Sequence, residues 1–232
     1  MIDIESLRLA LTVSTTVTAF AVLWLHRSRF AVRGTREWAT SYALLLAGLV
    51  FRALRSEIPT GVSSVFSYTA TFGGYVWLLL GVRRFLGEQK AGGGWTREGM
   101  ASLAAAFLVF GGVFELLGEG RMSQLVPACA YIVLSLYTGY VLLRSQKDAL
   151  VQEALGRAFL VNGCMIAACE LEQFWGFTQP LAPELMQYAS EIFVFWQLLF
   201  SLLVAFALML MVGEHLHQQL ILQRSKEQKK SP

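Results

Sequence analysis

Leu198-Leu199-Phe200-Ser201-Leu202-Leu203-Val204-Ala205-Phe206-Ala207-Leu208-Met209-Leu210-Met211-Val212 is a fifteen-residue run without a charge. The apolar segment around it reaches back to residue 185, with Glu191 as its one charged side chain. A helix crossing a hydrocarbon core needs about 20 mostly apolar residues, and residues 185–212 exceed that. Six further segments meet or approach the same length: residues 7–25, 38–54, 62–82, 101–117, 125–143 and 158–177. The connectors between them are short and carry turn residues, as in Ile58-Pro59-Thr60-Gly61, Gly92-Gly93-Gly94 and Pro180-Leu181-Ala182-Pro183. None is long enough for a separate domain.

Composition agrees with this pattern. Of 232 residues, 55% are hydrophobic and 15% charged, and the mean hydropathy is +0.52. A soluble domain carries about 25% charged residues. Abundant aliphatic residues exclude a disordered chain, and three cysteines exclude a disulfide scaffold. The expectation is an all-α polytopic membrane bundle of seven transmembrane helices over residues 1–212, followed by a basic, amphipathic helical tail over 213–232.

The basic residues set an orientation. Fifteen of the 19 Lys and Arg, all five lysines among them, follow the first, third, fifth and seventh predicted helices. Positive-inside bias then puts the N-terminus outside and the C-terminus in the cytoplasm. Met1-Ile2-Asp3-Ile4-Glu5 lacks the basic opening of a cleavable signal peptide, so the first helix reads as a retained anchor. The net charge of +3 comes from inner loops and does not call for nucleic acid.

Ionisable groups inside spans are costly and mark functional sites by default. With this orientation Arg52, Arg55, Glu115, Glu170, Glu172 and Glu191 all fall in the outer half of the bilayer or at its edge. Tyr68, Gln173, Trp175, Gln187, Tyr188 and Trp196 lie at comparable depth. The expected site is a polar outer vestibule of Arg52, Arg55, Tyr68, Glu115, Glu170, Gln187 and Glu191 above an apolar floor. Gln187 and Glu191, four apart, share a helix face. Glu170 is deeper than Glu172 and is the expected inward group, with Arg52 as its natural partner. Mutual pairing that only fixes the bundle, a ligand pocket, and an ion or proton path all stay open at this point.

No cofactor is expected. A retinal Schiff base needs a Lys deep in a span, and none is there. His26, His215 and His217 lie at cytoplasmic helix ends, no metal-ligand spacing occurs, and no nucleophile–base pair suggests an enzyme. Val212, Leu216 and Leu220 repeat every four residues, so the tail reads either as an amphipathic end on the inner leaflet or as a signalling helix.

The stretch Leu54-Arg55-Ser56-Glu57-Ile58-Pro59, a Ser-rich span, Gly73-Gly74 and Leu80-Gly81-Val82-Arg83-Arg84-Phe85-Leu86-Gly87 resembles a segment of the N-terminal multi-helix membrane sensor regions of bacterial GGDEF-type diguanylate cyclases. The likeness covers residues 54–87; elsewhere it extends to helix count, orientation and the polar helix after the last span. Tyr68 stands where that family often has Asn, and no Gly-Gly-Asp-Glu-Phe motif follows. The resemblance implies a membrane sensor or signal-relay module. Its partners would be the bilayer, an outer-side small molecule or membrane-state stimulus, and a cytoplasmic output protein or domain; a homodimer stays open. A small transporter of a polar solute is the alternative. Pro127 and Gly111-Gly112 would supply its helix breaks.

Overall fold

A computed structural model describes residues 4–27, 32–87, 94–118, 121–145, 150–178 and 183–228. Among these the chain forms seven α-helices: α1 (Ile4–Arg27), α2 (Thr35–Ala53), α3 (Thr60–Leu86), α4 (Gly94–Leu117), α5 (Arg121–Arg144), α6 (Leu150–Thr178) and α7 (Pro183–Gln228). A single 3-10 turn, Leu54–Ser56, joins α2 to α3. All helices except α2 are long and apolar enough to cross a membrane. In α2 the charges of Arg36, Glu37 and Arg52 confine the apolar stretch to residues 38–51. That is about 21 Å of helix against a hydrocarbon core of about 30 Å.

The helices close into a ring. α1 packs on α2 and α7, α2 on α3, α3 on α5, α5 on α6, and α6 on α7. α4 stands outside, against α3 and α5. α2 with α3 and α5 with α6 form the intimate pairs. α3 is the hub, with 78% of its apolar window buried against 39% or less in the other five spanning-length helices.

Small residues explain the two intimate pairs. Between helices whose surfaces are apolar all round, close backbone approach and interhelical hydrogen bonds supply the association. Ser41 donates to the Gly74 carbonyl at 2.7 Å and Ser67 to that of Gly48 at 2.9 Å, while Ser63 donates to the Phe51 carbonyl. Across α5 and α6, a Cβ on Gly139 would stand 2.8 Å from the Gly156 carbonyl oxygen, and Ser135 donates to the Phe159 carbonyl at 2.9 Å. In both pairs rising positions on one helix meet falling positions on the other, so the pairs are antiparallel. Neighbours along the chain therefore alternate in direction.

The end rich in basic residues is knit by a charge pair. Glu37, 2% exposed in the first turn of α2, accepts from Arg84 at the end of α3. Arg84 reads in the sequence as an interface anchor; it is also the counter-ion of a buried carboxylate, a role that Glu37 alone does not advertise. Beside it Gly34, at φ 98°, caps α2 and lies so close to Gly81 that a Cβ would meet the Gly81 carbonyl at 2.5 Å. Gly87, at φ 78°, ends α3 and donates its N–H to the carbonyls of Arg83 and Arg84, the left-handed helix end that glycine favours.

α5 and α4 run unbroken through Pro127 and through Gly111-Gly112. Gly139→Val should therefore lower stability by about 1–3 kcal/mol, the usual cost of overpacking. Gly112→Val, which meets nothing within 4 Å, should stay within about 0.5 kcal/mol. Thermal unfolding of the two variants in detergent checks the contrast.

Candidate functional site

The ring encloses a cavity of about 330 Å³, at the lower end of the range of small-molecule sites. Every helix of the ring contributes and α4 does not. Most of the lining comes from the first halves of α1, α3, α5 and α7 and the last halves of α2 and α6, with Tyr42 of α2 and Tyr75 and Leu78 of α3 reaching past mid-helix. With the helices alternating, these belong to one end of the bundle, opposite the basic end.

Its base is a polar cluster around Asn162, the single asparagine of the chain and fully buried at 0% exposure. The Asn162 amide donates to Ser135 Oγ at 3.1 Å and to the Tyr75 hydroxyl at 3.4 Å. Its Oδ1 accepts from Trp196 Nε1 at 3.1 Å and from Gln197 Nε2 at 3.3 Å. Both donor hydrogens and both lone pairs of the side chain are thereby used. Four helices, α3, α5, α6 and α7, meet at this one group. The geometry follows from the close α5–α6 contact: Gly163 sits against Leu136 and Gly156 against Gly139, which brings Ser135 within reach of Asn162.

Tyr75 and Gln197 also line the cavity, so the cluster is exposed to whatever occupies it. Around them the walls are aromatic. Tyr131 stacks on Tyr75 at 5.9 Å and donates to the Tyr68 carbonyl at 3.0 Å. Phe159 meets Phe200 edge-on at 5.1 Å. Beyond the cavity, towards the basic end, the core is apolar and includes Val82, Leu142, Leu155, Leu208 and Met211.

The expected vestibule residues divide. Arg52, Tyr68 and Glu170 line the cavity. Arg52 is exposed at its mouth and interacts electrostatically with Tyr131; Tyr68 is buried, with its ring stacked on Phe114 at 5.9 Å. Glu170 is half-buried. The expected Arg52–Glu170 pair is absent: among the described residues neither makes an ion pair, although both border the same space. Arg55 is turned to the α2–α3 corner, where it donates to Ser64 Oγ at 3.1 Å. Glu115 is exposed on α4 and lies outside the ring, because α4 packs on the outer side of α3 and α5. Glu191 is half-buried on α7 and is not part of the lining. The side chains of Gln187, Glu172, Gln173 and Trp175 lie outside the described residues.

Asn162 was not singled out by charge, since it carries none. The signal that finds it is a lone carboxamide inside Phe159-Leu160-Val161-Asn162-Gly163-Cys164-Met165-Ile166, where an unpaired amide would be costly. Asn162→Ala leaves Trp196, Gln197 and Ser135 short of a partner and should cost roughly 1–3 kcal/mol. Tyr75→Phe, which removes only the longest of the four bonds, should cost less. Thermal unfolding in detergent reads both.

Comparison with protein-family models, curated proteins and solved structures finds no match to this chain, so what the site does is argued from its own geometry.

Proposed function

We propose that the chain is a sensor or signal-relay module of the bacterial inner membrane, crossing it seven times with the N-terminus outside. On this proposal α2 is the seventh crossing, sheltered between α1 and α3. The basic end is cytoplasmic and the cavity faces the outer side, as positive-inside bias requires.

One observation carries the relay. α7 lines the cavity with Phe193, Gln197, Phe200, Ser201 and Val204 and continues as one helix to Gln228. Its 46 residues correspond to about 70 Å at 1.5 Å per residue, more than twice a hydrocarbon core. The segment long and apolar enough to span ends at His217, leaving a polar helix beyond it. A change at the cavity that alters the hold of Asn162 on Trp196 and Gln197 acts on the same rigid rod that leaves the membrane. Shifts of packed helices by 1–2 Å are a common switching motion. The likeness of residues 54–87 to cyclase-linked sensor regions points the same way, to an output domain or partner at the cytoplasmic end.

A transporter of a polar solute is the other reading. It calls for polar groups along a whole path and for interrupted helices. The apolar core below Asn162 and the unbroken α4 and α5 favour the relay.

Two measurements test this. An alkaline phosphatase inserted at the α2–α3 corner should be active, and a green fluorescent protein at the C-terminus should fluoresce; the reverse pattern would invert the orientation. A diguanylate cyclase domain fused in register after Gln228 should change its output roughly fivefold or more on Asn162→Ala. That response should vanish when Gly213→Pro breaks α7. Cyclic dinucleotide levels insensitive to the cavity variant would sink the relay.

A further inference from the structure

Arg52 and Glu170, side chains of opposite charge type, line one cavity, and among the described residues neither has an ion-pair partner. Most of the other polar side chains of the lining are already engaged within the protein. Thr15, Ser67 and Thr71 donate to the carbonyls of Leu11, Gly48 and Ser67. Tyr131 donates to Tyr68, and Tyr75 and Gln197 are held by Asn162. The remaining wall is mostly aromatic and aliphatic, with Gln124 and Ser201 as its further uncharged polar side chains. The charges that a ligand could answer are thus one cation and one carboxylate, both on the lining of the same pocket.

Taking the cavity as the stimulus site of the proposed sensor, we propose that it binds a zwitterion carrying an apolar body: an anionic group met by Arg52, an ammonium met by Glu170, and a hydrophobic part seated among Tyr42, Phe193 and Phe200. The charge count decides between ligand classes. An anion alone would satisfy Arg52 and leave the half-buried Glu170 carboxylate facing a filled pocket; a cation alone would leave Arg52, which stands exposed at the mouth, without a partner on the ligand. Shutting the half-buried Glu170 carboxylate off from water without a partner is unfavourable, whereas a zwitterion matches both groups with charge-assisted hydrogen bonds. The pocket volume suits a free amino acid with a large apolar side chain. The same chemistry exists in an ethanolamine phospholipid headgroup. The closed six-helix ring, in which each helix touches the next, leaves access at the end of the bundle and favours the water-borne source.

Binding to the purified full chain is measured by microscale titration and by thermal shift. The probes are L-leucine, L-methionine, L-phenylalanine and L-tryptophan, with 3-phenylpropionate and phenethylamine as the analogues lacking ammonium or carboxylate. At least one amino acid should bind, and the matching single-charge analogue should bind roughly 10- to 100-fold more weakly, the loss of one charged hydrogen bond. Arg52→Gln should abolish the preference over phenethylamine while keeping that over phenylpropionate, and Glu170→Gln should do the opposite. This exchange of selectivity cannot arise from misfolding. In a parallel arm, nanodiscs of phosphatidylethanolamine are compared with phosphatidylglycerol. Stabilisation by the former that is lost in both variants, without amino-acid binding, would assign the zwitterion to the membrane instead of the water phase.

Equal binding of zwitterion and single-charge analogues, or no response to any amino acid or to phosphatidylethanolamine, overturns the ligand class. The cyclase fusion reads the relay separately through Asn162 and Gly213. Relay can therefore survive the loss of the zwitterion, and zwitterion binding can survive a silent fusion.

Discussion

One carboxamide ties the bundle together. In an interior of mostly apolar side chains an amide without partners is expensive, and Asn162 escapes that cost only where Tyr75, Ser135, Trp196 and Gln197 all surround it. Those residues belong to three other helices, so their separation, rotation and register are constrained at once. Apolar contacts between helices tolerate sliding; a four-bonded amide does not. The cavity lies directly above this point and shares Tyr75 and Gln197 with it, which makes the most exacting part of the packing also the part nearest any ligand.

The small residues do the complementary work. Glycines at 48, 74, 139 and 156 let backbones approach until serine hydroxyls reach carbonyls on the neighbouring helix. Each such bond is worth only about 0.6 kcal/mol between helices of this kind, yet several in series along α2–α3 make a stiff pair. α5–α6 is built similarly. The cavity is what remains where these two stiff pairs, with α1 and α7, fail to meet on the axis. α4 takes no part, and Glu115 with it.

Charge is divided by function between the two ends. At the basic end Glu37 and Arg84 pair in the interior and close α2 against α3. At the cavity end Arg52 and Glu170 border open space without pairing. The same residue types therefore form a structural clasp in one place and line a cavity without pairing in the other. Gly34 and Gly81 let α2 and α3 touch beside Glu37, whereas Arg52 stands at the mouth of the cavity.

Much was legible from the sequence. The seven helices fall where the apolar segments lie, the turn glycines and Pro59 mark their ends, and Arg52, Tyr68 and Glu170 were already candidates because charge and hydroxyl inside apolar segments stand out. Those features are local: a run of 20 apolar residues favours a helix whatever surrounds it, and a left-handed helix end asks for glycine. Three things were decided by tertiary structure alone. These are the exile of α4 from the ring, the pairing of Glu37 with Arg84, and the convergence on Asn162. Each depends on which face of a helix meets which neighbour, and helices apolar all round carry almost no periodicity to say so. The chain's own residues therefore determined that it forms long apolar helices; where those helices leave a pocket was settled by a few glycines, serines and one amide finding partners across them.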